Sequence, residues 1–577
     1  MSRGRRPLLV VAAAAATALA LPASAFAHAA LLRTSPSASV TLPRAPTQVA
    51  LTYSEPVEPK FAIVSVTDAG GHQLATGRPT RSPSNADQLI QPIRHIPEGW
   101  YLVFWRVISV DGHPERGAFT FAVGPSPGPA PQFVIPSITE TAATPLLLVF
   151  RWIVFLSMMS AIGLFVLRAI TARPLVRTLR GSSLRAIART FWASLAVALV
   201  ATPIYVYVST AKFSLRSESD VGGIVPLLRS SAFGRGFLDL ELALALFAVA
   251  AAIALWLDRP ERPVRSVAEL LASTGALGAA AACLLVPGLA GHAAQTAPRG
   301  LSVAADWIHL AGGSVWVGGL FGLLVLYRST GELLRVAALS LVVPRFSNTA
   351  LASVNLLIAS GIAATLVHIP TLASMWQTSY GKTLSVKILL LLAAGLLASV
   401  NLARSKPRLQ AAASHPQRAA GAAVLLRRLV GGEVVFVFGA VFAAALLSSL
   451  APPSKALARI GSAEARVGPG AFTEHVKKDG YDLLFRVSPN RAALPNSFSV
   501  RITKGGRPVQ NASVVTHFAM LDMDMQELAY SLPQRQPGVF SRSAPALVMV
   551  GHWGLQYQIT IPGKQPLDVL LVDKAGG

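Results

Sequence analysis

Along the middle of the chain, apolar residues run for about 20 positions at a time with few charges. This happens eight times, over 145–168, 190–210, 236–257, 267–289, 302–327, 347–369, 383–403 and 431–451. A helix needs ~20 such residues to cross ~30 Å of hydrocarbon, so the pattern predicts an eight-helix transmembrane bundle over 145–451. On either side the pattern changes to short alternating runs. QVALTYS, FAIVSVTD, GWYLVFWRVI and GAFTFAVG fall within 28–124; YDLLFRVSP, SFSVRITKGG, ASVVTHFAML, ALVMVGHWGLQYQITIP and LDVLLVDK fall within 465–577. These runs are rich in β-branched and aromatic residues and are parted by turn formers, which predicts strands. Each flank reads as a β domain of about a hundred residues, a sandwich. The expected fold class is a multidomain membrane protein: an all-β domain, an eight-helix bundle and a second β-sandwich. PSPGPAPQFVIP opens the connection over 125–144 and is Pro-rich, hence an extended, semi-rigid spacer.

Residues 1–27 have a different pattern. Arg3, Arg5 and Arg6 precede an Ala/Leu/Val run, and Ala25-Phe26-Ala27 closes it with an A-x-A site, the three parts of a secretory signal peptide. Cleavage after Ala27 makes His28 the first residue of an exported chain. The net charge of +24 raises the question of nucleic acid, and its location answers it. Arg168, Arg173, Arg177, Arg180, Arg185 and Arg189 follow the first apolar stretch. Arg259, Arg262 and Arg265 follow the third, Arg328, Arg335 and Arg345 the fifth, and Arg404, Lys406, Arg408, Arg418, Arg427 and Arg428 the seventh. The alternate loops are poor in Lys and Arg. By the positive-inside rule the rich loops are cytoplasmic, so both β domains are expected on the periplasmic side of an inner-membrane, multi-pass protein. The basic excess is then topological, and nucleic acid is excluded as a partner.

With Cys283 the single cysteine, there is no disulfide framework and no thiolate cluster. Metal chemistry therefore falls to His, Met and carboxylates. In the first β domain SVDGHPERG joins the last two strand-like runs, with Asp111 and His113 two positions apart. Together with the α-amine and imidazole of His28 they offer three nitrogens and an oxygen, a tetragonal set suited to Cu(II). Taken alone, Asp-Gly-His is also ordinary turn chemistry. HAALLRTSPSAS, LTYSEPVEP and WRVISVDGHPERGAFTFAVG resemble the copper-resistance family CopC, over nearly the whole domain. That resemblance implies a periplasmic β-barrel or sandwich with His28, Asp111 and His113 as Cu(II) ligands. Some members add a Met-rich Cu(I) loop; no methionine lies between Met1 and Met158 here, so a Cu(II)-only domain is expected. His72 and His95 read as surface histidines.

Coordinating and ionisable residues at membrane depth are costly and usually functional. GLAGHAAQ puts His292 at the end of the fourth stretch, and DWIHLAGGSVWVGGL puts Asp306 and His309 at i and i+3 in the fifth. His368 ends the sixth stretch and Met375 lies in the loop after it. All fall toward the exported face and form a candidate copper path, with Met158 and Met159 as an inward extension and Asp306 as an orienting partner of His309. Gly312, Gly313, Gly318 and Gly319 are expected to let helices approach closely. AGHA, DWIHLAGGSVWVGGL, RFSNTALASVNLLIASGI and TSYGKTLSVKILLLL resemble CopD, the membrane partner of CopC, which implies copper movement across the inner membrane. Arg345, Lys382 and Lys387 match recurrent basic positions of that family and are expected to be structural or lipid-facing.

In the last domain HFAMLDMDMQ and MVGHW collect Met520, Met523, Met525 and Met549 around His517, a soft set suited to Cu(I) and equally suited to packing in a core. The order MLDMDM, PGVF, MVGHW resembles the YtkA-like domain. The sequence-based expectation is a non-enzymatic fusion that binds copper outside and hands it to a membrane path. No Gly-rich nucleotide-binding Lys motif accompanies it. A copper sensor or assembly factor that moves none, and an exported copper oxidative enzyme, are the alternatives. Copper ions and the lipid bilayer are the expected partners, with any exported copper chaperone unspecified.

Overall fold

The computed structural model describes residues 31–576 apart from 38–39, 54–55, 110–113, 129–130, 132–144, 291–292, 294–297, 370, 373, 451–462, 493–494, 522–526 and 549–550. The chain forms two compact units. One holds 142–368 and 382–450; the other holds 28–141, 369–381 and 451–577.

Among the described residues of the first unit, eight helices are long and apolar enough to cross a membrane. They are α1 (Pro145–Val166), α2 (Arg185–Phe213), α3 (Ala232–Leu257), α4 (Val267–Ala290), α5 (Arg299–Ser329), α6 (Glu332–His368), α7 (Ser379–Val400) and α8 (Pro416–Leu447). Helix α1 packs against α2, α5 and α8, α3 pairs with α4, and α5 pairs with α6. The expected glycines set one of these contacts. A Cβ on Gly318 of α5 would lie 2.5 Å from the Gly163 Cα of α1, so the two backbones touch where they cross. A Cβ on Gly312 would meet the Ser353 carbonyl of α6 at 2.8 Å.

Several helices outrun their apolar stretches. Helix α6 starts at Glu332 rather than near 347, because Ala338, Leu339, Val342, Val343 and Phe346 make a buried face ahead of the membrane segment. A short helix, Val221–Ser230, was hidden between two spans; Asp220 caps it by accepting from the Gly223 N–H at 3.0 Å. The Arg-rich loops gather at one end of the bundle. Arg173 binds Asp258 and donates to the Arg259 and Arg262 carbonyls, and Arg177 donates to that of Pro263. Arg335 and Arg427 both stack on the Tyr327 ring.

The second unit is all β. Its first part contains β1 (Leu31–Ser35), β2 (Thr41–Leu42), β3 (Gln48–Tyr53), β4 (Ile63–Asp68), β5 (Thr80–Arg81), β6 (Gln88–Pro92), β7 (Gly99–Ile108) and β8 (Pro114–Val123). They form two four-stranded sheets, ordered β1-β3-β6-β5 and β2-β8-β7-β4. The second part contains β9 (Ala465–Val467), β10 (Phe472–Lys478), β11 (Tyr481–Ser488), β12 (Asn496–Lys504), β13 (Arg507–Pro508), β14 (Ser513–Met520), β15 (Leu528–Leu532), β16 (Gln534–Gln536), β17 (Val539–Ala544), β18 (Gly551–Thr560) and β19 (Leu567–Ala575). Its sheets are ordered β10-β11-β12-β17-β16, with β13 on β12, and β15-β14-β18-β19-β9. Strand β11 shows the rule that builds them: Tyr481, Leu483, Phe485 and Val487 point inward while their neighbours stay wetter. The two parts, read from the sequence as separate domains, share one buried apolar cluster running from Leu31 to Ala575. The Ala118 N–H of β8 donates to the Val548 carbonyl at 3.1 Å, and Ala546, Leu547 and Val548 are buried.

One charge is sealed in that second part. Asp573 of β19 is fully buried; its Oδ1 accepts from Asn490 Nδ2 at 2.8 Å, and its Oδ2 has no partner among the described residues. Burial pushes its carboxyl from 3.8 up to about 6, against the hydrogen bond from Asn490. Because the folded-state value is raised, the folded chain holds more protons than the unfolded one between those limits. Stability from this group is greatest below about pH 4, falls as pH rises to about 6, and is flat above. The loss is on the order of 3 kcal/mol. Unfolding measured from pH 4 to 7 should show this fall in the wild type and not in Asp573→Asn; an identical pH profile in both would refute it.

Candidate metal centre and membrane path

His28, Asp111 and His113 lie outside the described residues, but the strands that carry them are described. Leu31, three residues after His28, pairs with Tyr53 across β1 and β3. A three-residue connection reaches at most ~10 Å. Strands β7 and β8 form a hairpin whose last pair is Ile108 with Pro114, so the connection holding Asp111 and His113 springs from that pair. Tyr53 joins the two: its ring packs edge-on against Trp105 of β7 at 5.6 Å, and the Glu115 carboxylate of β8 acts on its hydroxyl. Burial and that carboxylate push the Tyr53 hydroxyl well above the ordinary phenol range, and the oxygen has no hydrogen-bond partner among the described residues. The segment after β3 closes the same end, with Val57 bridged to Ser109 and the Glu58 N–H donating to the Ile108 carbonyl at 2.8 Å.

The chain points next to all three expected ligands thus converge on one end of the sandwich, beside the buried carboxylates of Glu58 and Glu115. The sequence reading missed Tyr53, Glu58 and Glu115, although they sit inside LTYSEPVEP and DGHPERG. Their role shows only once β3 and β8 are seen to meet. His72 and His95 are exposed as expected, and His72 Nδ1 lies 3.0 Å from Asp68.

In the membrane unit His309 is the best-defined candidate. It is half-buried in α5, with Nδ1 3.1 Å from Ser360 Oγ of α6 and Nε2 3.3 Å from Lys387 Nζ of α7. Ser360 Oγ donates to the Leu356 carbonyl at 2.7 Å, so it accepts from His309 Nδ1–H. That leaves Nε2 as the acceptor for the lysine, and its lone pair is the one a metal would take. Lys387, expected to be structural or lipid-facing, therefore faces the bundle and His309; a one-helix reading carries no information about which neighbour a side chain meets. Asp306 Oδ2 packs beside Gly288 of α4, where a Cβ would come within 3.0 Å, and its charge acts on Lys387. One turn along α5 from His309, a Cβ on Gly313 would lie 2.8 Å from the Met159 methyl of α1. Met158 and Cys283 are fully buried.

His368 Nδ1 is 2.8 Å from the Ala364 carbonyl of its own helix. Met375 is half-buried in the short helix Ser374–Gln377, which belongs to the β unit. His292 lies outside the described residues. Among the described residues no three His, Cys, Asp or Glu side chains converge as a metal site.

In the last domain Met523, Met525 and Met549 lie outside the described residues. Met520 is 3% exposed and shares the inward face of β14 with Phe518. His517 points to the other face, its Nδ1 2.6 Å from Glu527 Oε1. These two candidates therefore stand on opposite faces of the strand.

Comparison with known proteins follows the same three-part order. Family models match residues 31–124 (CopC domain), 340–447 (Copper resistance protein D) and 475–558 (YtkA-like). The Copper transport protein CutJ of Bacillus subtilis is 24% identical over 93% of this chain and 94% of its own length. Protein YobA of Escherichia coli is 35% identical over 21% of this chain and 99% of its own. Copper resistance protein C of Xanthomonas campestris pv. juglandis is 30% identical over 18% of this chain and 84% of its own. Among solved structures, CopC from Methylosinus trichosporium OB3b aligns at 28% identity over 18% of this chain and 99% of that one, with a TM-score of 0.17. Through its first domain the chain belongs to the CopC family of copper-resistance proteins, with Copper resistance protein D and YtkA-like domains following it in the same polypeptide.

Proposed function

We propose that this chain captures copper with its first β domain and passes it to the helical bundle, which moves it across the membrane, without catalysing a chemical reaction. The observation that carries the reading is the convergence on Tyr53: the strand three residues after His28 and the hairpin end bearing Asp111 and His113 meet at one end of the sandwich. The captured ion is Cu(II), held by two imidazoles, the α-amine and a carboxylate. Both β domains lie on the periplasmic side of the inner membrane, because the Arg-rich loops at the opposite ends of the helices are cytoplasmic. Tethering donor and acceptor in one chain keeps the local donor concentration high.

Inside the bundle the path runs past His309 and on to Met159, one turn deeper along α5. A thioether there favours Cu(I) for the inner part of the route, so each captured Cu(II) takes one electron from an external thiol, two thiols giving one disulfide and two protons for every two ions reduced. Copper takes the His309 Nε2 lone pair only when the Lys387 ammonium moves off it. Copper uptake into proteoliposomes tests this. His309→Ala should lose uptake while copper binding by the exported domain stays at the wild-type level, and Lys387→Met should retain uptake. Equal uptake by wild type and His309→Ala would remove His309 from the path. No uptake by any form would favour a copper sensor or assembly factor.

A further inference from the structure

We infer that Glu433 is a proton-binding site in the membrane bundle, held by Asn401, and that copper movement is exchanged against its proton; this exchange rests on the transport reading above. Glu433 is 2% exposed in α8, ~8 Å of helix past the exposed Arg428 and ~21 Å short of Leu447, at the cytoplasmic edge of the apolar run. Around it the sequence is RRLVGGEVVFVFGA, with two exposed arginines a turn and a half before it and an apolar run after it. A buried ionised carboxylate is costly unless it is paired or neutralised.

No cation pairs with it among the described residues. Its partner is an amide: Asn401 Nδ2 donates to Glu433 Oε1 at 2.6 Å, and Asn401 Oδ1 accepts from Ser405 Oγ at 3.0 Å. The charged groups on the elements around α8 are directed elsewhere. Arg427 of α8 and Arg335 of α6 stack on Tyr327 of α5. On α6, Arg345 donates to the Leu341 carbonyl, and Lys406 binds Asn348 at 2.8 Å. Arg151 of α1 binds Tyr205, Ser448 and Ser449, and Arg168 binds Asp258. Arg404 and Arg408 are exposed.

The geometry suits a site that gains and loses a proton without coming apart. An amide N–H donates equally to a carboxylate and to the carbonyl oxygen of a carboxylic acid. Asn401 therefore keeps Oε1 in both states, and the proton comes and goes on Oε2. Asn401 also opens a π-helical turn, Asn401–Ser405, at the end of α7. Such one-turn widenings concentrate at functional sites, and this one sets the amide against α8. The donors are oxygen and amide with no imidazole or sulfur, a poor set for copper. Protonation is balanced as carboxylate plus proton giving carboxylic acid. One proton leaving against each monovalent copper ion entering keeps the exchange electroneutral.

The test uses the full chain in liposomes loaded with a pH-sensitive dye, with Cu(I) kept reduced outside. Wild type should take up copper while the lumen loses protons. Glu433→Gln should lose both signals with copper binding by the exported domain intact, and Glu433→Asp should retain both with a displaced pH profile. Wild-type copper and proton signals in Glu433→Gln would overturn the inference, as would wild-type uptake with no change in lumenal pH. Infrared spectroscopy on the same samples reads the site without transport. A carboxyl band that titrates with pH in wild type and is missing from Glu433→Gln supports the proton site even where no copper moves, and a wild type without that band overturns it.

Discussion

A chain carrying one extra residue ahead of His28 is expected to bind Cu(II) at least ~100-fold more weakly than the chain cut after Ala27. Loss of a residue that merely orients a ligand costs about 10- to 100-fold in metal affinity, and the extension removes a ligand outright. The added peptide bond converts the α-amine into an amide and pushes the free amine about 3.8 Å along the chain. Only two residues separate His28 from Leu31, which is fixed against Tyr53, so the shifted amine cannot swing back while the imidazole keeps its place. The β1–β3 pairing begins beyond the change, so folding should be untouched. Competition titration of both forms with a Cu(II) chelator measures the difference, with circular dichroism as the check on folding. His72→Ala serves as the control: that ring is exposed beside Asp68 and its removal should leave affinity unchanged. Equal affinity of the extended and cut forms would remove the α-amine from the site.

How far the sequence carries depends on the range of the interaction that decides each feature. The eight helices were legible because hydrocarbon demands a long apolar run, and the runs survive as α1 to α8 within a few residues at their apolar ends. Glycines 312 and 318 were legible for a similar reason, since a residue without Cβ in an apolar helix marks a close approach; the sequence did not show that Gly163 was the partner. The partnership of Lys387 with His309 was invisible. Residues 78 apart in sequence meet there on separate helices, and the periodicity of α7 alone points Lys387 nowhere in particular. Glu433 escaped for the opposite reason. A lone acid in a helix carries no signal of its own, and its meaning depends on the π-turn that brings Asn401 to it. In the β unit, the alternation of β11 predicted its own strand but not the apolar cluster shared with β7 and β8. The three expected copper ligands were legible as a combination of residue types, and the structure adds the frame that brings their neighbours to one end.

Replacing Asp258 by Ala is expected to destabilise the helical unit by about 3–5 kcal/mol, the cost of stripping one partner from a buried ion pair. Asp258 caps the end of α3, and its side chain is 5% exposed. Its Oδ2 is 2.8 Å from Arg168 Nη1 and its Oδ1 3.0 Å from Arg173 Nε, so one carboxylate holds two guanidinium groups from the end of α1. A third cation, Arg265, donates to the Ala169 carbonyl, and burial together with the nearby Arg173 pushes its pKa down from the usual arginine range. The second acid, Glu269, is already committed. Its Oε1 accepts from the Arg259 N–H at 2.6 Å and its Oε2 from the Ser266 N–H at 2.7 Å, and Ser266 Oγ accepts from the Glu269 N–H at 3.2 Å. That reciprocal pair starts α4, and Glu269 reaches Arg173 only at 3.7 Å. Without Asp258, three buried or half-buried cations face one acid that cannot turn to them. Thermal unfolding in detergent should show the loss, and replacing Arg168 and Arg173 by Met in the Asp258→Ala background should recover much of it, because uncharged side chains of similar length leave no charge unpaired. Full stability in the single variant would mean that water or lipid reaches these guanidinium groups. Cu(II) affinity of the first β domain should be unchanged throughout, since that domain belongs to the other compact unit.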